Sequence, residues 1–283
     1  MEDGDDEGLI WRTMRKTRGE EEEEVKEEED GEESGSDERD LTPLNRSMAS
    51  DSAGADETHT ASPSSSSPSP SSSSHPSPAD APCFYSWRDT FPQLQLLHDN
   101  VATLAREAAT ITSWTPWPED HFAPGVETDW TVFPFLHTFP ALDESKSTWI
   151  QSTCRHCPET AALLRRIPNI RTALFSRLGA GTFLSCHTGW EDLANHVLRC
   201  HVCLDIPPGA ESCGLFVDGE TQHHVQGEIL VFDDSKRHKA FNAHADRPRV
   251  VLIVDILRPD WVPKGRARGG HTEQLDAFVS RFR

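Results

Sequence analysis

Long apolar runs are missing from this 283-residue chain. No stretch approaches the roughly 20 apolar residues that a membrane helix needs. A basic start is missing too, since Met1-Glu2-Asp3-Gly4-Asp5-Asp6 is the opposite of a secretory signal. Nothing visible routes the chain to secretion, and a cytoplasmic location is expected. An excess of positive charge is also lacking. The net charge is −20, and the first 80 residues hold 23 acids against 7 bases, leaving 24 acids and 20 bases for the remainder. A near-neutral remainder argues against a basic nucleic-acid binder. Finally, an even set of cysteines is absent. Seven in a chain this long fit a reducing compartment better than a disulfide framework.

What is present divides in two. Residues 1–80 carry the acidic run Glu20–Asp30 and a Ser/Pro tract from Ser62 to Pro78. Such segments bury too little apolar surface to offset an ordering entropy of roughly 1–2 kcal/mol per residue, so a disordered tail is expected. Order is expected from about residue 81 to the end, in a single domain. Leu94, Leu97, Val101, Leu104, Ala105 and Ala108 recur at helical spacing and predict one amphipathic helix. The stretch from Trp114 to Trp149 is rich in aromatics and proline and reads as packed, irregular loops. Pro158–Arg166 predicts a short helix with proline in its first turn.

Beyond Asn169 the pattern becomes β-rich. Runs at Arg171–Leu178, Thr182–His187, His196–Ile206, Ser212–Val217, Gln222–Gln226, Glu228–Asp233 and Arg249–Leu257 are separated by turn signals such as Asp218-Gly219. Short strands at this spacing predict a mainly β fold, a two-sheet jelly roll with the earlier helices packed on one sheet.

Several polar residues sit oddly within those strands. His187 closes one strand, and His238 follows the apolar Val231-Phe232 and the polar Asp233-Asp234-Ser235. Histidines converging at a barrel mouth can bind Fe(II) through neutral imidazole, although a lone histidine is more often a surface or core residue. Strand alternation puts Leu198, Cys200, Val202, Leu204 and Ile206 on one face and Arg199, His201, Cys203 and Asp205 on the other. An arginine and a histidine on a buried face are costly unless they meet an anion. Arg249 opens the run Val250-Val251-Leu252-Ile253-Val254 and is either a carboxylate clamp or an ordinary strand-edge charge.

Taken in order, these pieces resemble the aspartyl/asparaginyl β-hydroxylases. The resemblance rests on Phe175-Ser176-Arg177-Leu178, His187-Thr188-Gly189, Leu198-Arg199-Cys200-His201, the run from Gly227 to Ser235 with His238, and Arg249 with Ile253-Val254-Asp255. It spans roughly residues 110–262. It implies a double-stranded β-helix (the cupin-like jelly roll) that uses Fe(II) as metal and 2-oxoglutarate as cosubstrate. His187 and His238 would be the iron ligands, and Asp234 a nearby acid orienting metal-bound water. Ser176 and Arg249 would hold the distal carboxylate of 2-oxoglutarate, with Arg199 and His201 near its other end. The implied partners are O₂ and a protein, peptide or small-molecule substrate, the inherited expectation being Asp or Asn side chains.

Two departures stand out. Gly189 occupies the position where most non-haem oxygenases carry a metal-binding carboxylate, which agrees with this family but not with the wider class. About three extra residues, including Trp190-Glu191-Asp192, follow it, and Val197 stands where peptide-hydroxylating members tend to carry an arginine. The cofactor site therefore reads as whole and the substrate site as altered. The literal His244-Ala245-Asp246 motif lacks a suitable downstream histidine. A zinc site from Cys154, Cys157, Cys200 and Cys203 would require Cys200 and Cys203 on one face of a strand, which alternation forbids. A non-catalytic metal-binding jelly roll and a hydroxylase of lipids or small molecules are the competing functions.

Overall fold

The computed structural model describes residues 81–119 and 129–282. The tail expected over residues 1–80 lies outside the described residues. Among the described residues there are twelve strands: β1 Phe84–Tyr85, β2 Thr115–Pro116, β3 Trp130–His137, β4 Thr148–Trp149, β5 Ile170–Leu178, β6 Thr182–Phe183, β7 Val197–Asp205, β8 Cys213–Val217, β9 Glu220–His223, β10 Ile229–Phe232, β11 His238–Asn242 and β12 Arg249–Leu257. They form two antiparallel sheets. The larger runs β1-β10-β7-β12-β5-β3-β2, with β4 beside β3, and the smaller runs β6-β11-β8-β9. This is the expected double-stranded β-helix.

Alternation assigns each face its task. The outer face of the large sheet, with Ala173, Phe175, Leu198, Cys200, Val202, Leu252 and Val254, packs on Leu94, Leu97, Leu104 and Leu164 of the helical layer. The inner face meets the small sheet through Leu178, Phe232, Leu215, Val217 and Ala240. Glu107, buried at the end of helix Val101–Ala108, locks the layer together. Its carboxylate accepts the backbone N–H groups of Glu159 at 3.0 Å and Thr160 at 2.7 Å, capping the orphan donors of helix Pro158–Leu164. The hairpin β8–β9 turns through Asp218 (φ 45°) and Gly219 (φ 96°), the paired positive φ values that a two-residue loop requires.

The structure corrects three expectations. The single helix expected over Leu94–Ala108 is broken into Pro92–Leu94, Gln95–His98 and Val101–Ala108. Asn100 interrupts it, its side-chain amide donating to the Leu96 carbonyl at 2.8 Å in competition with helical pairing. The stretch read as irregular loops contains the eight-residue strand β3 and the short strands β2 and β4. Pro134 hid the strand, but it sits where the β3–β5 register shifts, and a bulge tolerates a missing N–H donor. Strand β11 was not foreseen either. Among the described residues no helix is long and apolar enough to cross a membrane.

Candidate active site

The two histidines singled out by sequence meet between the sheets. His187 lies beyond the end of β6, and His238 opens β11. Their backbones exchange hydrogen bonds, His187 N to His238 O at 2.9 Å and His238 N to His187 O at 2.8 Å, which brings the ring centroids to 4.3 Å. Each Nδ1 faces a carbonyl oxygen two residues back: Ser185 at 2.8 Å for His187 and Lys236 at 2.9 Å for His238. A carbonyl can only accept, so both Nδ1 atoms carry the proton and both Nε2 atoms keep a lone pair. That is the tautomer a metal-binding imidazole needs, with the second-shell bond that fixes ring direction. Burial pulls His238 down to about 4, against the Lys236 carbonyl bond, so it stays neutral.

Asp234 completes this corner. Its Oδ1 lies 3.3 Å from His238 Nε2, and its Oδ2 is buried without a hydrogen-bond partner. A lone pair facing a carboxylate across a buried gap is repulsive unless a cation or proton joins them. Burial pushes the Asp234 carboxyl up to about 7, against the pull of Arg199. Gly189 makes room for this arrangement, since a Cβ there would stand 2.0 Å from Asp234 Oδ2. The missing carboxylate at position 189 is thus a steric requirement of Asp234. Two converging Nε2 lone pairs beside an unsatisfied carboxylate oxygen fit a divalent iron with open positions. Among the described residues no group of three or more His, Cys, Asp or Glu side chains is arranged to hold a metal, so iron here would rest on the two histidines and solvent.

The second half of the site is cationic. Arg249 is almost fully buried, and its Nε and Nη1 have no hydrogen-bond partner. Burial draws its pKa down to about 10. A buried guanidinium with two orphaned nitrogens is unfavourable by several kcal/mol in isolation and calls for an anion. Register places it on the inner face, opposite Leu178 and two pairs along from Val251–Ser176. Ser176 accepts from the Trp130 indole N–H at 3.0 Å, so its own hydroxyl proton remains to be donated. Arg249 and Ser176 together fit one carboxylate of 2-oxoglutarate.

His201 and Arg199 share that face. His201 Nδ1 lies 3.1 Å from Nε2 of His224, and burial holds both imidazoles well below their usual pKa. Arg199 differs from the expectation of a cationic site awaiting an anion, because its charge is already matched. Nε reaches Asp255 Oδ1 at 2.8 Å, Nη2 reaches Asp255 Oδ2 at 2.9 Å, and Nη1 reaches Asp234 Oδ1 at 2.6 Å. Despite burial, the two aspartates raise its pKa further. Arg199 lines the cavity beside His187 and aims Asp234. Sequence reasoning missed Asp255 and His224 as site residues. Asp255 was detectable as the one acid within an otherwise apolar strand, whereas His224 carried no signal.

The cavity, about 170 Å³, lies over His187, Thr188 and Gly189. Its walls come from segments not foreseen as functional. The Trp117 ring stacks between Trp130 at 4.6 Å and Trp190 at 5.9 Å. Buried Glu119 accepts from the indole N–H of Trp117 at 3.2 Å and of Trp190 at 3.4 Å. It also accepts from Thr272 Oγ1 at 2.8 Å, tying down the start of helix Glu273–Ser280. Trp190 belongs to the extra residues noted above, and Val197 is buried in an apolar cluster with Ala141 and Leu193. The zinc arrangement is not formed, since Cys200 packs on the helical layer while Cys203 packs with Val251 and Ile253 on the inner face.

Known proteins are similar to this chain in sequence. Ornithine lipid ester-linked acyl 2-hydroxylase of Rhizobium tropici is 36% identical over 133 residues, 47% of this chain and 43% of that protein. Aspartate beta-hydroxylase domain-containing protein 2 of Mus musculus is 34% identical over 140 residues, 47% of this chain and 37% of that protein. The chain thus spans less than half the length of these relatives. A solved 2OG-Fe(II) oxygenase family oxidoreductase from Burkholderia pseudomallei superposes with a TM-score of 0.46 at 14% identity, covering 65% of this chain and 95% of that one. The family model described as Aspartyl/Asparaginyl beta-hydroxylase matches residues 98–259, the span that contains both histidines, Asp234, Ser176 and Arg249, and the chain belongs to that family.

Proposed function

We propose that this protein is an Fe(II)- and 2-oxoglutarate-dependent hydroxylase. The observation that carries the reading is the pairing, inside one barrel, of two Nε2 lone pairs at His187 and His238 with the unpartnered guanidinium of Arg249. A structural role would leave no reason to bury Arg249 with two orphaned nitrogens. A dicarboxylate cosubstrate supplies that reason, with one end on Arg249 and Ser176 and the other toward the histidines. When bound, iron with 2-oxoglutarate supplies the oxidation: a substrate C–H, O₂ and 2-oxoglutarate give the C–OH product, succinate and CO₂.

The chain's own residues do the rest. Ser185 and Lys236 carbonyls hold the imidazoles in the metal-binding tautomer. Asp234, oriented by Arg199, offers an acceptor beside the metal position. The Asp233 carboxylate binds Arg258 and accepts the Ser235 backbone N–H at 3.0 Å, which fixes the loop leading to His238. The apolar side chains packed between the sheets, Leu178, Phe232, Leu215 and Val217, exclude water.

Two substrate classes are compatible with the relatives' names: an Asp or Asn side chain in a peptide, and an acyl chain. The test is succinate production from 2-oxoglutarate by the full chain with Fe(II), with and without each candidate substrate. No succinate above that of an Arg249→Ala control under any condition would refute the oxygenase reading and favour a binding protein that kept the pocket.

A further inference from the structure

A second cavity adjoins the first and shares Trp117, Leu174, Trp190 and Arg199 with it. It lies between the inner face of the large sheet and helix Glu273–Ser280. Leu275, Phe278 and Val279 of that helix close one side, and Leu193 and Leu136 the other. Its volume is about 50 Å³, several times the roughly 10–15 Å³ that a single water needs. Its walls are mostly apolar, the polar exceptions being Arg199, His137 and Thr172, so the interior favours hydrocarbon over a polar group.

The chemistry of the walls selects the occupant. The Arg199 head is matched by Asp234 and Asp255, so it offers no net cation to an acidic side chain. Behind the cavity, Val197, Ala141 and Leu193 form a buried apolar cluster with Phe139 and Trp190, and no other charged group lines it. At the mouth of the first cavity the surroundings turn polar, with exposed Arg268, the Gly269-Gly270 backbone and Thr272. A ligand with a polar head at that rim and an unbranched hydrocarbon chain would match both ends. Its chain would pass over Thr188 and Gly189, beside the iron-ligand position, before entering the apolar cavity.

We infer that the cavity beneath helix Glu273–Ser280 is an acyl-chain site, and that the substrate presents an aliphatic chain rather than an acidic peptide side chain. This rests on the oxygenase reading for its consequence, but the binding is testable apart from it. Bromine quenches tryptophan fluorescence at short range, and Trp117 and Trp190 line the cavity. The full chain is titrated with 9,10-dibromostearate and, separately, with vesicles of phosphatidylcholine carrying the same brominated chain. Saturable quenching by either source is expected, the free acid and the ester distinguishing the origin of the chain. Val279→Phe and Leu275→Phe, which fill the cavity, should weaken the response at least tenfold. In wild-type protein the effective ligand should also raise the melting temperature, a readout that needs no variant. No saturable quenching from either source, or quenching unchanged in both filled variants, would overturn the site. So would an Asp-containing peptide that stimulates succinate production while neither brominated ligand binds. Succinate is followed in the same samples. Chain binding without succinate would refute the oxygenase reading alone, and succinate without chain binding would refute the acyl site alone.

Discussion

Asp255 holds Arg199 side-on, through two parallel bonds of 2.8 and 2.9 Å between neighbouring strands of one sheet. The third nitrogen then points at Asp234, 2.6 Å away. Thr172 Oγ1 also donates to the Asp255 carboxylate. This places one fixed cation between a structural acid and the acid beside the metal position, with both carboxylates fully buried. Removing Asp255 takes two of the three ion-pair bonds from a largely buried guanidinium and leaves Asp234 as its remaining acid. Asp255→Ala should therefore destabilise the fold by roughly 3–5 kcal/mol, the range for breaking a buried pair from one side. Chemical denaturation would measure this. A loss below about 1 kcal/mol would show that solvent reaches Arg199 and replaces its partner.

Arg249 invites the opposite result. Its unpartnered nitrogens make it a burden on the empty fold, so Arg249→Met should keep or raise the melting temperature without cosubstrate. The same change should abolish the thermal shift produced by 2-oxoglutarate in the wild type. Arg249→Lys should recover only part of the affinity, because the bidentate geometry is lost. Differential scanning calorimetry with and without 2-oxoglutarate separates these outcomes. A cosubstrate shift that survives in Arg249→Met would move the clamp elsewhere.

Much of this was legible in the chain, and the gaps have physical causes. Strict alternation in β7 revealed Arg199 and His201 on the buried face, because period-two burial is a strong local signal. The ends of β5, β8 and β10 fell within a residue or two of expectation. Strand β3 was hidden because Pro134 argues against a strand unless a bulge is known, and a bulge is visible only with its partner. Strand β11, His-Lys-Ala-Phe-Asn, has no local β pattern, and its inward face is set by the sheet it joins. The charge state of Arg199 was unreadable for a related reason. Its partners Asp234 and Asp255 lie 35 and 56 residues away, and only folding brings them together.

The helix Glu273–Ser280 is held by a titratable contact. His271 lies 3.1 Å from Asp192 and 3.2 Å from Asp276. Burial lowers its pKa, but the hydrogen bonds and charges of these two acids more than offset that, and the net shift is upward. A group whose pKa rises on folding contributes stability fully below its unfolded value, near 6.5, and loses it as pH rises through the folded value. The melting temperature should therefore fall as pH rises above about 6.5, modestly because both acids are partly exposed. His271→Asn should flatten that part of the profile. A wild-type profile that stays level through this window would show that the contact is solvated.

The metal position is tested most directly through four substitutions read against one another. His187→Ala and His238→Ala each remove one of the two nitrogen donors proposed for iron, so iron binding and succinate production should both be lost. Asp234→Asn keeps the shape but removes the charge, and should weaken iron affinity by the roughly 10–100-fold typical of outer-shell partners. Gly189→Asp would restore, on paper, the carboxylate found at this position in most non-haem oxygenases. Here its Cβ would collide with Asp234 Oδ2 and with Ala194 Cβ, 2.7 Å from the same point. Iron binding should consequently fall rather than rise. Iron stoichiometry by a chelator assay after anaerobic loading checks all four. Tighter iron in Gly189→Asp would mean that Asp234 moves aside easily and does not define this corner of the site. Iron retained without either histidine would place the metal elsewhere in the molecule.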